Sequence, residues 1–535
     1  MEKFDYVIVG GGSAGCVLAA RLSENPKHTV CLLEAGGNGK DLLVRAPMGT
    51  AAILPGHIKS LNWAFPTVPQ AGLDNRVCYQ PRGKALGGSS AINAMLYVRG
   101  HPSDYDDWAA QGCDGWSWAD VLPLFRRAEC NERGADALHG AVGPLQVGDQ
   151  KKPRPVTLAF LDACGENQIR LNEDFNGHGQ EGAGLYQVTQ FFEGPKRGER
   201  CSAAAAYLHP VMDRANLTVV TGAHATSLVM EGKQVTGVRY RVGKREAMVS
   251  AGAEVILSAG AFNTPQLLLL SGIGPADELA RHRIPVRHEL PGVGRNLQDH
   301  LDFVMCFKSH DRDMLGLSLM GGLDLIRHIG EWRRYGVGMV ASPGAEAGAF
   351  LKSDPSLDRP DLQLHFVAGI VDDHARKLHL GHGWSCHVCV LRPHSRGAVG
   401  LASADPFAPP RIDPGFLSDK RDAALLHKGV VAMRRILNAP ALARYRDREL
   451  YTAGVDDADL MPLIRARADT VYHPVGTCRM GKGEDAVVDP TLRVHGLTGL
   501  RIADASIMPT LIGGNTNAPT IMIGEKCADM IRDAA

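Results

Sequence analysis

A histidine near the C-terminal end of the chain is the residue best suited to proton transfer. His473 is followed by Pro474, which favours an extended histidine backbone, and a glycine turn comes next at Gly476. The ordinary pKa of histidine lies near neutral pH, so its neutral ring is a competent base. The chain has 21 histidines, however, and a lone histidine is more often structural. His473 is therefore a candidate base that needs a partner and a substrate site.

A glycine-rich turn near the N-terminus has the spacing of a dinucleotide-binding loop. An apolar strand predicted at residues 4–9 leads into G-x-G-x-x-G, with glycines at Gly10, Gly12 and Gly15. Gly10 permits the tight turn, and Gly12 lets the backbone approach a pyrophosphate. Gly15 lets a helix predicted at residues 16–22 pack closely on the strand, with free N–H groups aimed at the phosphates.

A second predicted strand follows this helix and ends in an acid. Residues 28–34 form that strand, and Glu34 falls at the distance expected for an acceptor of ribose hydroxyl groups. Strand, turn, helix and acid together predict a dinucleotide site. The motif leaves open whether the dinucleotide is NAD or FAD, and a structural βαβ unit with an empty crevice is the alternative.

Three later segments could serve the same crevice. The Gly-Gly-Ser-Ser turn at residues 87–90 can expose backbone donors to a cofactor ring or phosphate, and we expect a helix after it. It could equally be a structural turn. A second glycine turn at residues 258–265 precedes a helix predicted at residues 266–271. Near the end of the chain, Pro519 marks the start of a helix whose N-terminus could stabilise negative charge on a reduced ring.

Composition describes a neutral globular protein that is large enough for two or more domains. Of 535 residues, 58 are Lys or Arg and 58 are Asp or Glu, so we expect no nucleic acid partner. Twelve scattered cysteines fit a reducing compartment, and Cys386 and Cys389 indicate buried core rather than a zinc site. Without a leader or a membrane-length apolar stretch, we expect a cytoplasmic protein, at most peripherally attached to the inner face of the cytoplasmic membrane.

The region between residues 301 and 465 has a different character. Residues 361–366 and 386–390 alternate like strands of an antiparallel sheet with one buried face, which predicts a substrate-side domain. Residues 323–335 form a basic amphipathic helix. We expect this helix to pack on the core with its charged face in water, and contact with a membrane surface is the alternative.

The ordered motifs resemble the glucose-methanol-choline (GMC) family of FAD-dependent oxidoreductases over the whole chain. The motifs are residues 10–15, 82–93, 260–274 and 473–477, followed by Asn517. Within the family the chain looks most like bacterial medium-chain aliphatic alcohol dehydrogenases of alkane oxidation, and next like choline dehydrogenases. That likeness is carried by residues 61–65, 174–177, 186–190 and 472–481.

The resemblance implies an α/β fold, α+β overall, in which a Rossmann-like FAD-binding domain carries a discontinuous substrate domain. The substrate domain is built on an antiparallel sheet with helices. We expect the FAD-binding domain at residues 1–155, 196–305 and 466–535, and the substrate domain at residues 156–195 and 306–465.

The resemblance also implies oxidation of a neutral primary medium-chain alcohol to the aldehyde. His473 would take the hydroxyl proton while hydride moves to flavin N5, and Asn517 would hold the developing alkoxide. Electrons would pass to a quinone or similar acceptor. Some members attach FAD through a histidine that corresponds to Ile92, so we expect non-covalent FAD. A choline dehydrogenase or an oxygen-using alcohol oxidase is the alternative, and then a non-redox lyase of the hydroxynitrile type.

The same resemblance implies a set of FAD contacts and no metal. We expect contacts from Gly10, Gly12, Ser13, Ala14, Gly15, Glu34, Ala35, Arg82, Gly87, Gly88, Asn93, Ala94, Ala225, Asp504, Ala505, Asn515 and Thr516. Glu346 is the one carboxylate to watch as a counter-charge for a cationic substrate, although we expect it to be solvated or structural.

Overall fold

The computed structural model describes residues 2–534. Its strands are β1 (Glu2–Val9), β2 (Val30–Glu34), β3 (Phe65–Gln70), β4 (Arg76–Gln80), β5 (Glu129–Asn131), β6 (Leu145–Val147), β7 (Gly182–Leu185), β8 (Leu217–Thr221), β9 (Ala223–Glu231), β10 (Gln234–Val242), β11 (Arg245–Leu257), β12 (Ile273–Gly274), β13 (His288–Glu289), β14 (Leu301–Ser309), β15 (Gly316–Leu317), β16 (Ala345–Leu351), β17 (Leu362–Val367), β18 (Gly381–Val390), β19 (Ala398–Gly400), β20 (Arg411–Asp413), β21 (Arg448–Glu449), β22 (Asp469–Thr470) and β23 (Leu500–Ile502). Its α-helices are α1 (Ser13–Leu22), α2 (Leu42–Arg45), α3 (Thr50–Ile53), α4 (Pro102–Ala110), α5 (Trp118–Ala128), α6 (Pro155–Glu166), α7 (Gly260–Leu270), α8 (Ala276–Arg281), α9 (Leu319–Tyr335), α10 (Lys420–Leu437), α11 (Met461–Arg467) and α12 (Asn517–Ala534).

The first sheet carries the glycine-rich turn at the end of its central strand. Its order is β8-β2-β1-β11-β10-β9, with β23 added beside β11. The pairs β8–β2, β2–β1, β1–β11 and β11–β23 are parallel, and β10 and β9 continue antiparallel. Every position of β2 is buried, as expected for a parallel strand covered on both faces. Helices α1 and α12 pack on each other beside this sheet, which confirms the Rossmann-like architecture.

The second sheet is antiparallel and gathers strands from distant parts of the chain. Its order is β21-β14-β18-β17-β16-β7, with β15 paired to β18 and β22 paired to β14. Every position of β17 is buried, and so is nearly all of β18. The expectation of one solvated face is therefore wrong. Helices α6 and α10 pack on one face, and the other face is buried against the first domain and a large cavity.

Two other expectations change where the structure resolves local detail. The glycine turn predicted at residues 258–265 is mostly helical, because α7 already begins at Gly260. The predicted turn at residues 87–90 forms a single 3₁₀ turn, Gly88–Ala91, and the helix expected after it is not present, because the next described helix is α4 at Pro102.

The cysteines are buried as expected. Across residues 2–534 all twelve are free, and all but Cys130 are buried. Cys386 and Cys389 lie three positions apart in β18, so their side chains point to opposite faces of the sheet and cannot share one metal ion.

Candidate active site

A cavity of about 1090 Å³ lies between the two sheets and contains most of the predicted site residues. Its lining includes Gly10, Gly12, Ser13, Ala14, Glu34, Ala35, Arg82, Gly88, Asn93, Ala94, Ala225, His473, Asp504, Ala505, Asn515, Thr516 and Asn517. Gly15 and Gly87 are absent from this lining within the described residues. Gly15 lies in the first turn of α1, and Gly87 lies just before the 3₁₀ turn Gly88–Ala91.

The glycine turn has the close approaches that its spacing predicts. Gly10 has a φ of 101°, and a Cβ there would lie 2.5 Å from the carbonyl oxygen of Ser258. A Cβ on Gly15 would lie 1.9 Å from the Gly10 oxygen, so Gly15 serves packing of α1 on the strand. Around Gly12 there is room, since its nearest neighbour would be 3.6 Å away. The turn therefore offers bare backbone to a ligand at Gly12.

Glu34 ties the end of β2 to this turn. Its two carboxylate oxygens accept hydrogen bonds from the N–H groups of Gly11 at 2.9 Å and Gly36 at 2.7 Å. Burial raises the pKa of the carboxyl to about 7, against the lowering effect of the two N–H groups. The carboxyl lines the cavity where a ribose would lie next to the turn.

Asp504 holds the second glycine segment in the same way. It accepts hydrogen bonds from the Gly260 N–H at 2.9 Å and the Thr264 hydroxyl at 2.6 Å. Burial raises its pKa. The contact fixes the start of α7 at the cavity wall.

Arg82 and Asn93 lie in the segment that joins β4 to α4. The Arg82 guanidinium donates to the Tyr472 carbonyl oxygen at 2.7 Å, and burial lowers its pKa to about 10. The Asn93 amide oxygen accepts a hydrogen bond from Arg200 at 2.8 Å. Arg82 thus fixes the backbone just before His473.

His473 is buried at the cavity wall between two polar partners. Its Nδ1 lies 2.9 Å from Nδ1 of His300, and its Nε2 lies 3.3 Å from Nδ2 of Asn515. Its backbone N–H donates to Asp299 at 2.8 Å. Burial, with smaller effects of His300, His365 and Arg82, holds the pKa of His473 well below its ordinary value. The ring is therefore neutral at physiological pH.

The asparagine beside the histidine is Asn515, not Asn517. Asn517 is the first residue of α12, and its amide oxygen accepts a hydrogen bond from the Ser13 hydroxyl at 2.8 Å. It therefore links the N-terminal ends of α1 and α12. The two asparagines are two residues apart and both line the cavity, but among the described residues the hydrogen bond with His473 is made by Asn515.

Sequence reasoning missed three residues that contact or face this pair. His300 contacts His473, and the Gln363 amide lies 3.2 Å from the Asn515 oxygen. His365, in β17, is buried and lines the cavity, and neither ring nitrogen has a hydrogen-bond partner among the described residues. Buried polar groups rarely lack partners, so His365 is free to contact a ligand. Nothing local marks these residues, because Gln363 and His365 reach the site through β17 of the second sheet, and His300 reaches it from the position just before β14.

The amphipathic helix α9 does not pack as expected. Leu323 and Ile326, the apolar residues expected in the core, are 60% and 68% exposed. Trp332 is buried instead, and its ring N–H donates to the Gly198 carbonyl at 2.8 Å. The helix is held by Trp332, so the apolar side that begins at Leu319 faces outwards, beside the cavity mouth.

Comparison with known proteins gives the family. The family models described as GMC oxidoreductase match residues 4–302 and 393–524. The chain belongs to the GMC oxidoreductase family.

Relatives of known name support this membership over the full length. The chain is 47% identical to an alcohol dehydrogenase (acceptor) of Pseudomonas putida, over 99% of this chain and 95% of that protein. It is 43% identical to the mitochondrial choline dehydrogenase of Homo sapiens, over 99% and 90% of the two chains. The crystal structure of a pyridoxine 4-oxidase from Mesorbium loti superposes with a TM-score of 0.89 at 32% identity, over 99% of both chains.

Membership of the GMC family decides which dinucleotide the glycine turn serves. GMC oxidoreductases bind FAD, and the chain is an FAD-dependent oxidoreductase. The room at Gly12, the Glu34 carboxyl and the cavity volume of about 1090 Å³ fit such a cofactor. Among residues 2–534 no helix combines the length and hydropathy needed to cross a bilayer.

Proposed function

We propose that this GMC oxidoreductase oxidises a neutral primary alcohol of medium chain length to the aldehyde. The observation that carries the proposal is the pairing of a neutral His473 ring with the Asn515 amide at the wall of a largely apolar cavity. A neutral imidazole can accept a hydroxyl proton, and an amide N–H can stabilise the oxygen that loses it.

In this mechanism Nε2 of His473 accepts the proton of the alcohol, and Nδ2 of Asn515 donates to the alkoxide oxygen. The charge of Arg82, which helps to lower the pKa of His473, would also favour negative charge there. Bound FAD would supply the acceptor for the hydride that leaves the alcohol carbon. The burial that keeps His473 neutral also excludes water from the transfer.

We propose that the glycine-turn end of the cavity holds FAD. Gly12, Ser13 and Ala14 would face the pyrophosphate at the N-terminus of α1, where free N–H groups favour anions. Glu34 would accept the ribose hydroxyls. The remaining predicted contacts line the same cavity and stay proposed contacts.

The lining of the outer cavity supports an aliphatic substrate. It includes Leu315, Leu317, Leu325, Ile329, Val340, Ile370 and Leu378. The acidic lining residues among those described are Glu34, Asp504 and Asp324; the first two bind backbone N–H groups, and Asp324 pairs with Arg312 at 2.8 Å. This leaves a cationic substrate without a free carboxylate.

Glu346 does not provide the missing counter-charge. It is fully buried, lies outside the cavity lining, and accepts hydrogen bonds from Thr157 at 2.7 Å, Ser342 at 2.7 Å and the Arg154 N–H at 2.8 Å. A quaternary ammonium group would have to lose its water without compensation.

The substrate proposal is tested by kcat/KM for ethanol, hexanol, decanol and choline. Each methylene buried in an apolar pocket contributes up to about 0.8 kcal/mol, or about fourfold. We therefore expect a steep rise from ethanol to hexanol. Choline preferred over hexanol would contradict the proposal.

We propose that the electron acceptor is a quinone and that the protein is cytoplasmic, with peripheral contact with the inner face of the cytoplasmic membrane. The support is an apolar surface at the cavity mouth, formed by Leu319, Leu323, Ile326, Leu378 and Leu380. All five side chains are exposed, and Leu378 also lines the cavity. Arg327, Arg333 and Arg334 on α9 are exposed and suit anionic headgroups.

Sedimentation with vesicles that contain anionic phospholipid tests this contact. We expect the double variant Leu323→Glu with Ile326→Glu to bind fewer vesicles than the wild type. Val142→Glu with Leu171→Glu is the matched control, because these residues are 94% and 64% exposed elsewhere on the surface. Equal binding by all three proteins would contradict the proposed surface.

The electron acceptor is tested by comparing turnover with oxygen and turnover with a soluble quinone. Equal rates with the two acceptors would contradict the proposal of a quinone acceptor.

A further inference from the structure

The proton positions on His300 can be assigned from its partners. His300 is fully buried, and its Nε2 lies 3.1 Å from the carbonyl oxygen of Leu391. A carbonyl oxygen can only accept, so Nε2 carries the proton. Burial lowers the pKa of His300 to about 3, against the raising effect of the Leu391 and Ile512 backbone carbonyls, and the ring is therefore neutral. Its Nδ1 therefore carries no proton and can only accept a hydrogen bond.

This assignment decides which nitrogen of His473 is protonated. The two Nδ1 atoms are 2.9 Å apart, and a hydrogen bond between them requires His473 to be the donor. A neutral His473 with its proton on Nδ1 has a bare Nε2. Nε2 is the nitrogen beside Asn515, where a substrate hydroxyl would arrive.

A second set of hydrogen bonds orients the Asn515 amide. The Tyr186 hydroxyl lies 2.7 Å from the Leu364 carbonyl oxygen and donates to it. Its oxygen is then the acceptor for Nε2 of Gln363, at 3.1 Å. The same amide nitrogen donates to the Asn515 oxygen at 3.2 Å. The Asn515 Nδ2 is thereby turned towards His473.

We infer that His300 and Gln363 are positioning residues that fix the proton on His473 and the amide of Asn515. One set of hydrogen bonds ends on the Leu364 carbonyl in β17, and the other ends on the Leu391 carbonyl, one residue after β18. The second sheet thus sets the acid–base state of two residues carried by the C-terminal segment. The inference rests on the proposed function for its consequence in turnover, but not for the proton positions themselves.

The proton positions can be measured without any substrate. We would label histidine with ¹⁵N in the FAD-loaded enzyme, record long-range ¹H–¹⁵N spectra, and assign His473 from its loss in His473→Gln. We expect a proton on Nδ1 and none on Nε2. A proton on Nε2, or on both nitrogens, would overturn the inference even if alcohols reduce the flavin.

Two variants of His300 separate positioning from packing. The amide oxygen of His300→Asn can still accept from Nδ1 of His473, whereas His300→Leu fills more space but accepts nothing. A general-base histidine held in the wrong tautomer can lose up to about 10⁴-fold in turnover. We expect anaerobic flavin reduction by hexanol to fall by at least about tenfold in His300→Leu and by less in His300→Asn.

A purely structural role predicts the opposite order, because the smaller polar side chain leaves a cavity in the core. The tautomer spectrum is the further control. His300→Leu should mix the two tautomers of His473, whereas Gln363→Leu should slow reduction and leave the tautomer unchanged. An unchanged spectrum in His300→Leu would overturn the inference. A wild-type flavin that no alcohol reduces would contradict the proposed function and leave the spectrum as the deciding result.

Discussion

At the scale of single residues, the site depends on which of two similar asparagines meets the histidine. Asn515 contacts His473, and Asn517 contacts Ser13. Pro474 and the glycine turn mark His473 only as a candidate base, and the resemblance to the GMC family implies its catalytic role and its pairing with Asn517. The sequence cannot separate two amides two residues apart, since which of them contacts His473 depends on the fold.

The two asparagines should respond differently to removal of the amide. Asn515→Ala should slow flavin reduction by about 10²-fold, the usual cost of losing a donor to a developing oxyanion. Asn517→Ala should mainly weaken FAD retention, because it loosens the contact between α1 and α12. Rapid-mixing reduction and flavin content after dialysis measure the two effects. Slower reduction in Asn517→Ala alone would return the role to that residue.

At the scale of elements, the N-terminal βαβ unit is a closed hydrogen-bonded structure. Glu34 at the end of β2 binds the N–H groups of Gly11 and Gly36. This unit could be predicted because its strand, turn, helix and acid are contiguous. The exposure of the apolar side of α9 could not be predicted, since periodicity shows which side of a helix is apolar but not whether another element covers it.

The raised pKa of Glu34 makes the stability of the folded protein depend on pH. Burial raises the pKa from 4.5 to about 7, so between these values the folded FAD-free protein binds more protons than the unfolded chain. Stability contributed at Glu34 therefore falls as pH rises from 4.5 to 7, by up to about 3 kcal/mol. The stability of Glu34→Gln should not fall in this way, because glutamine does not titrate. Denaturant unfolding of the FAD-free wild type and Glu34→Gln gives the free energy of unfolding at each pH between 4.5 and 7. The same pH dependence in both proteins would contradict the raised pKa of Glu34.

At the scale of the whole molecule, two sheets bring together residues that are far apart in sequence. His300 and His473 are 173 positions apart, and Gln363 and Asn515 are 152 apart. Such contacts leave no local signal, so the ordered motifs predict the fold but not these neighbours. The domain boundaries at residues 305 and 465 stay a prediction; β14 begins at Leu301, and β22 lies in the second sheet.

We expect FAD to be bound without a covalent link to the chain. The resemblance to the GMC family implies that Ile92 stands where some members tether FAD, and its side chain cannot form that bond. We expect acid precipitation to leave the flavin in the supernatant. Yellow colour that stays with the denatured pellet would show a covalent link elsewhere.

Anaerobic mixing of the FAD-loaded enzyme with hexanol shows whether His473 is the base for alcohol oxidation. The wild-type flavin should bleach. In His473→Ala the rate should fall by about 10²–10⁴-fold, the span for loss of a positioned general base, with FAD content unchanged. Near-normal bleaching in His473→Ala would show that His473 is not the base.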